Sequence, residues 1–296
     1  MDDNAPLKIL RPWKGVWRPI WSRREELGGF SFLISIFFVG MFSIGAPYFI
    51  SNNIAAQYLE TVWDPEIALD RSLPVINWMI IPYVALYLFY PVTLALAPRD
   101  DRGRMELALG VQGLFMATMF CVLFFLLLPA EIDLRDQLDT HWETNPPNWL
   151  EEALFTFIHV SDNPWNAWPS LHIVHSTLLA RLITHWVQRD HHETRLAKPF
   201  LVLLWVEWAL LCVSILATKQ HYLFDLVTGL VVAFVFWRMF TKVIDMVEEV
   251  GHDKLASKYR WLSLIHISEP TRLLSIADGG GGVEKKKGGG GGGGGG

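Results

Sequence analysis

Cysteine is almost absent from this chain. Cys121 and Cys212 are the only two, and each falls inside an apolar stretch, so they read as packing residues rather than a disulfide or a metal pair. A basic surplus is missing as well. The formal net charge of −5 gives no sign of nucleic-acid binding. No cleavable signal peptide is evident, because the first apolar stretch is long and follows a sizeable basic segment. His191-His192-Glu193 has no matching ligand cluster nearby and reads as a solvated loop, so no metal site and no cofactor are expected.

Apolar residues are abundant. They make up 51% of the chain, and its mean hydropathy is +0.27, which is high for a soluble domain and ordinary for a polytopic membrane protein. A spanning helix needs roughly 20 mostly apolar residues. Stretches near Gly28–Ile50, Pro74–Ala97, Leu107–Leu128, Trp168–Val187, Pro199–Ala217 and Tyr222–Met246 meet that length. The fold class expected is therefore an all-α membrane protein, a six-helix transmembrane bundle over residues 28–246.

Lys and Arg set the orientation. They gather before the first span (Lys8, Arg11, Lys14, Arg18, Arg23, Arg24), between spans two and three (Arg99, Arg102, Arg104), between four and five (Arg189, Arg195, Lys198), and after six (Lys254, Lys258, Arg260). The alternate loops carry few, chiefly Arg71, Arg135 and Lys219. Both termini are expected in the cytoplasm. Residues 1–27, where Trp13, Trp17 and Trp21 interleave with Arg11, Lys14 and Arg18, read as an amphipathic helix or an irregular anchor in the cytoplasmic interface. The long outer loop holds Trp142, Trp149, Trp165 and Trp168 at the opposite interface, with a short surface helix near Leu150–His159.

Two polar motifs interrupt the apolar pattern. Pro169-Ser170-Leu171-His172 opens the fourth span, and His221-Tyr222-Leu223-Phe224-Asp225 opens the sixth. Ionisable groups at such positions are costly and usually functional. The charge pattern puts both at one membrane face, the external or lumenal one. On a helix, His221 and Asp225 share a side one turn apart. A carboxylate bonded to one ring nitrogen fixes the tautomer and leaves the other nitrogen nucleophilic. His172 is placed to protonate a leaving alkoxide and then to accept a proton from a second nucleophile. The amides of Ser170 and Leu171, the Ser170 hydroxyl and Lys219 are expected to cradle a phosphate. His175, one turn from His172, reads either as its bonding partner or as a packed polar residue. His141, His159 and His185 read as surface or interface residues.

At these residues the chain resembles the type-2 phosphatidic acid phosphatase superfamily, and most closely the branch containing inositol phosphorylceramide synthase and sphingomyelin synthase. Trp168-Pro169-Ser170-Leu171-His172 is similar to the family's second motif, with the Leu variant common in that branch. Thr218-Lys219-Gln220-His221-Tyr222-Leu223-Phe224-Asp225 is similar to its third. The resemblance implies a metal-independent enzyme in which His221 forms a phosphohistidine, Asp225 orients it and His172 protonates the leaving group. The partner it implies is a lipid phosphate or phosphodiester. Ile215 occupies the position where the third motif usually has Arg, and the first motif is absent. Lys219 and Arg135 are the outer-loop cations near enough in sequence to stand in.

A different class also fits two histidines at equal depth: a non-enzymatic module, either haem-binding through His172 and His221 or a lipid-binding, catalytically dead homologue. Residues 247–261 read as a cytoplasmic tail. From Leu262 the chain resembles a translated sequencing adapter followed by a glycine run, so 262–296 is expected to be an assembly artefact. That composition favours a microbial source, with a bacterial plasma membrane as the expected location.

Overall fold

The computed structural model describes residues 12–165 and 167–251. The first eleven residues of the N-terminal segment, most of the 247–261 tail and the whole of 262–296 lie outside them. No β-strand occurs among the described residues. The helices are α1 (Lys14–Ser22), α2 (Phe30–Tyr58), α3 (Ala68–Ser72), α4 (Ile80–Val84), α5 (Leu86–Leu96), α6 (Asp101–Leu127), α7 (Asp136–Trp142), α8 (Trp149–Ser161), α9 (Leu171–Asp190), α10 (Ala197–Ala217) and α11 (Leu223–Val250).

Among the described residues, five segments are long and apolar enough to cross a membrane: Glu26–Tyr58, Asn77–Leu96, Asp101–Leu127, Ala197–Ala217 and Leu223–Met246. This is consistent with an integral membrane protein. Large apolar side chains such as Phe38, Phe42, Leu88, Leu203 and Phe234 stand exposed on these helices, as lipid-facing residues do. The expected fourth span is α9. Its 20 residues give it the length, about 30 Å at ~1.5 Å per residue. Its composition is too polar for the apolar criterion, because it carries His172, His175, Ser176, Thr177, Arg181, Thr184 and His185. The packing explains this. Helices α5, α6, α10 and α11 all lie against α9, and most of its residues are buried in protein rather than turned to lipid.

Helix α1 is amphipathic, but its apolar stripe faces inward. Trp17 and Trp21 are 2% and 1% exposed and pack with Phe32, Ile36 and Met105. Trp17 Nε1–H donates to Gln112 Oε1 at 2.9 Å, and the Trp13 amide donates to the same oxygen at 3.1 Å. Arg24 makes a two-pronged contact with Asp101 at 2.8 and 3.0 Å. Helix α1 is thus folded onto α2 and α6, where the buried Trp17 indole N–H finds a hydrogen-bond partner. At the same end Glu106, fully buried, accepts from Trp186 Nε1–H at 2.7 Å and from Arg189 at 2.6 Å, tying α6 to α9.

Candidate functional site

The site forms where three chain segments meet at one end of α9. Helix α9 begins at Leu171, and Ser170 is its N-cap residue. Trp168-Pro169 is a cis peptide just before it. Ser170 makes no capping bond, although serine usually does. Its hydroxyl lies 3.4 Å from His221 Nε2 instead. Its amide, expected to face a phosphate, donates to the Asp225 carbonyl at 3.2 Å. This backbone bond locks the start of α9 to the start of α11. The approach requires Gly229, since a Cβ there would lie 2.9 Å from the Ser170 carbonyl oxygen and 3.0 Å from Ile173 Cβ.

His221 is not on a helix. It sits two residues before α11, in a tight turn that leaves α10. The amides of Gln220 and His221 both donate to the Ile215 carbonyl, at 3.1 and 3.0 Å. Ile215 itself is fully buried, so the position that is Arg in the family motif serves packing here. The His221–Asp225 pairing therefore comes from a turn and not from helical periodicity. His221 Nδ1–H donates to Asp225 Oδ2 at 3.1 Å, and the same oxygen accepts the Tyr222 amide at 2.9 Å. With Nδ1 held, His221 Nε2 is the free nitrogen, and it faces Ser170.

His172 completes the group. Its ring centroid lies 5.5 Å from that of His221, with the planes at 66°, and Tyr83 covers its other side at 4.4 Å. His172, His221 and Asp225 are all buried. Two of their polar atoms, His172 Nε2 and Asp225 Oδ1, are buried with no hydrogen-bond partner among the described residues. Orphaned buried polar atoms are uncommon in folded proteins, and a catalytic role is one of the explanations for them. His175 does not bond to His172, because both of its ring nitrogens are taken. Nδ1 lies 2.6 Å from Tyr90 Oη and Nε2 lies 3.0 Å from Thr118 Oγ1.

Lys219 is not brought to this group. Its ammonium is buried and donates to the carbonyls of Asp70 and Leu73 at 2.7 and 2.8 Å. It serves as a tether that holds the His221 turn, itself strained by a φ of +58° at Lys219, to the α3 segment. Burial pushes this ammonium below the usual lysine range, against the opposing field of Asp70. Asp70 strengthens the tether by accepting the Leu223 amide at 2.7 Å. Lys219→Met leaves the buried Asp70 carbonyl and the half-buried Leu73 carbonyl without this donor, and we expect it to destabilise the fold by about 2–4 kcal/mol. A fall in the apparent Tm of the detergent-purified protein checks this.

Arg135 is the outer-loop cation that does approach. Its guanidinium donates to the Asp162 carbonyl at 3.0 Å and to Gln220 Oε1 at 3.2 Å, one residue before His221. Asp162 lies alongside, accepting from Tyr48 Oη–H at 2.6 Å. Burial raises its carboxyl, and the Tyr48 bond, His221 and Arg135 oppose that rise. Gln220 Nε2 reaches His159 Nε2 at 3.2 Å, so His159 belongs to this polar chain and not to the open surface.

Burial, aided by Arg135, lowers His159 to about 4. The unfolded chain binds that proton at about 6.5, so the folded state loses stability as pH falls from about 6.5 to 4 and has its full share above 6.5. His159→Gln is expected to flatten the Tm-against-pH profile in that window. A slope equal to that of the parent protein would count against it.

Tyr83, Asp162, Asp70 and Gln220 were not legible as site neighbours in the sequence, and neither their residue types nor their spacing separated them from ordinary loop and helix positions.

Residues 66–239 match the family model described as the PAP2 superfamily. The chain belongs to the PAP2 superfamily. Members are typically phosphoesterases, so this PAP2 protein is of the phosphatase or phosphotransferase type. The match includes His172, His221 and Asp225 and excludes α1 and α2. No curated protein sequence matches the chain.

Proposed function

We propose that this PAP2 protein is an integral membrane lipid phosphatase or phosphotransferase that works through a phosphohistidine on His221, without a metal. The observation that carries this reading is the pairing of His221 Nδ1 with Asp225 at 3.1 Å while Nε2 faces Ser170, beside the His172 ring.

In the first step His221 Nε2 attacks phosphorus. The ester P–O bond breaks, and the leaving alkoxide takes a proton from His172. Asp225 stabilises the charge that develops on the His221 ring. In the second step His172 accepts the proton of water or of an alcohol, whose oxygen attacks phosphorus as the P–N bond breaks. Water gives hydrolysis, and a lipid or polyol hydroxyl gives transfer. Arg135 is the cation best placed to offset phosphate charge, taking the part first assigned to Lys219. Ser170 binds the phosphate through its hydroxyl.

The bundle crosses the membrane six times, counting α9, with both termini in the cytoplasm and the site at the external face. The substrate is a lipid phosphate or phosphodiester of the outer leaflet. The test is to incubate purified protein with radiolabelled short-chain phosphatidic acid and quench in base. A base-stable, acid-labile phosphoryl group on the protein is the expected result. Phosphate release with no such adduct in rapid-quench samples would remove the covalent step. A Soret band in the purified protein would instead support the haem-carrier reading.

A further inference from the structure

A cavity of about 490 Å³ lies between α2, α5, α6 and α9, and His172 is part of its wall. Along α2 it runs from Ile36 to Tyr48, about 18 Å at ~1.5 Å per residue. One leaflet of hydrocarbon is about 15 Å deep. Phe37, Met41 and Tyr87 on its rim are exposed, so it opens sideways toward lipid.

Polar side chains in the wall are turned away from an occupant. Tyr48 Oη–H donates to Asp162, Tyr90 Oη lies 2.6 Å from His175 Nδ1, and Thr93 Oγ1–H donates to the Phe89 carbonyl. Only at the His172 end is there a buried polar atom with no partner among the described residues, Nε2. The groove therefore offers hydrocarbon surface along its length, with the His172 ring in its wall at one end. Gly40 and Gly45 lower its α2 wall. A Cβ at Gly45 meets nothing within 4 Å, and one at Gly40 meets only Val111 at 3.7 Å. At the His172 end, Tyr48 and the paired Asn52–Asn163 bonds at 2.8 and 2.9 Å hold α2 to the Asp162 loop. Elsewhere α2 packs along α6.

We propose that this groove holds one acyl chain of the lipid whose phosphate reaches His221 and His172. The proposal rests on the reading of that pair as the phosphorus-handling group. It adds that α2, outside the residues matched by the family, sets which acyl chains are accepted. An acyl chain lying there places its ester end, and hence its headgroup, at His172. Apolar burial of the chain then contributes to binding in proportion to the methylenes that fit.

The experiment uses phosphatidic acid with a diazirine part-way along one acyl chain, in phosphatidylcholine vesicles containing the full-length protein. After irradiation, adducts are mapped by mass spectrometry. The expected result is labelling concentrated on residues 36–48 and 86–94, reduced at least about fivefold by Gly45→Leu. Met41→Trp, at the exposed rim, is a second block should the first variant fold poorly. Both blocks are also expected to lower the ratio of kcat/KM for long-chain over short-chain phosphatidic acid by about tenfold. Labelling spread evenly over the lipid-facing helices, or unchanged by both blocks, would overturn the groove. Mapping needs no turnover, so failure of the catalytic reading in a His221→Ala assay is seen separately.

Discussion

His221→Ala is expected to reduce phosphate release from short-chain phosphatidic acid by at least about 10³-fold, the scale typical for loss of a covalent nucleophile. The size follows from the geometry. Nε2 is the His221 nitrogen not bonded to Asp225, and the neighbouring His172 ring has no carboxylate on its other nitrogen to stabilise the charge that attack would leave there. Ser170, the nearest hydroxyl at 3.4 Å, would need a general base to replace it, and the imidazole it lies against is the one that has been removed. The fold should survive, because His221 contributes little to the core. Asp225 keeps its bond from the Tyr222 amide, and Ser170 keeps its backbone bond to the Asp225 carbonyl. Steady-state phosphate release, with melting of parent and variant measured alongside, separates chemistry from folding. Release within a few-fold of the parent from a well-folded variant would take the nucleophile role from His221.

The architecture was legible wherever apolar runs faced lipid, because a lipid-facing helix must be apolar on its outer surface. It was least distinct at α9, whose neighbours replace lipid on most sides and let histidines and threonines accumulate. The pairing of His221 with Asp225 was readable from spacing alone, yet the spacing was right for the wrong reason. Helical periodicity predicted it, and a turn before α11 produces it. Lys219 shows where sequence reasoning stops. A cation beside a reactive histidine looks like a phosphate ligand until long-range packing is known, and here residues 146 and 149 positions away claim its ammonium. The packing of α1 was hidden in the same manner. Its tryptophans carry the same pattern whether the apolar face meets lipid or another helix, and only Gln112 and Met105, far along the chain, decide between them.

His172→Gln should divide substrates by their leaving groups. An alkyl ester such as phosphatidic acid expels an alkoxide, which needs a proton as it departs, and general-acid catalysis of that kind contributes on the order of 10²–10⁴-fold. An aryl ester such as p-nitrophenyl phosphate expels a stable phenolate and needs no proton. With His172 removed, the variant should lose about 10²–10⁴-fold on phosphatidic acid while its first turnover on the aryl ester stays within about tenfold of the parent. The second step still lacks its base, so nitrophenol should appear as a burst equal to the enzyme present, followed by slow turnover while the phosphoryl group remains on His221. Rapid-mixing absorbance measurements resolve the two phases. Glutamine keeps a polar group beneath Tyr83 and near the volume of the imidazole, so the packing at 4.4 Å is largely preserved. Equal losses on both esters with no burst would mean that His172 positions the pocket and does not move the proton.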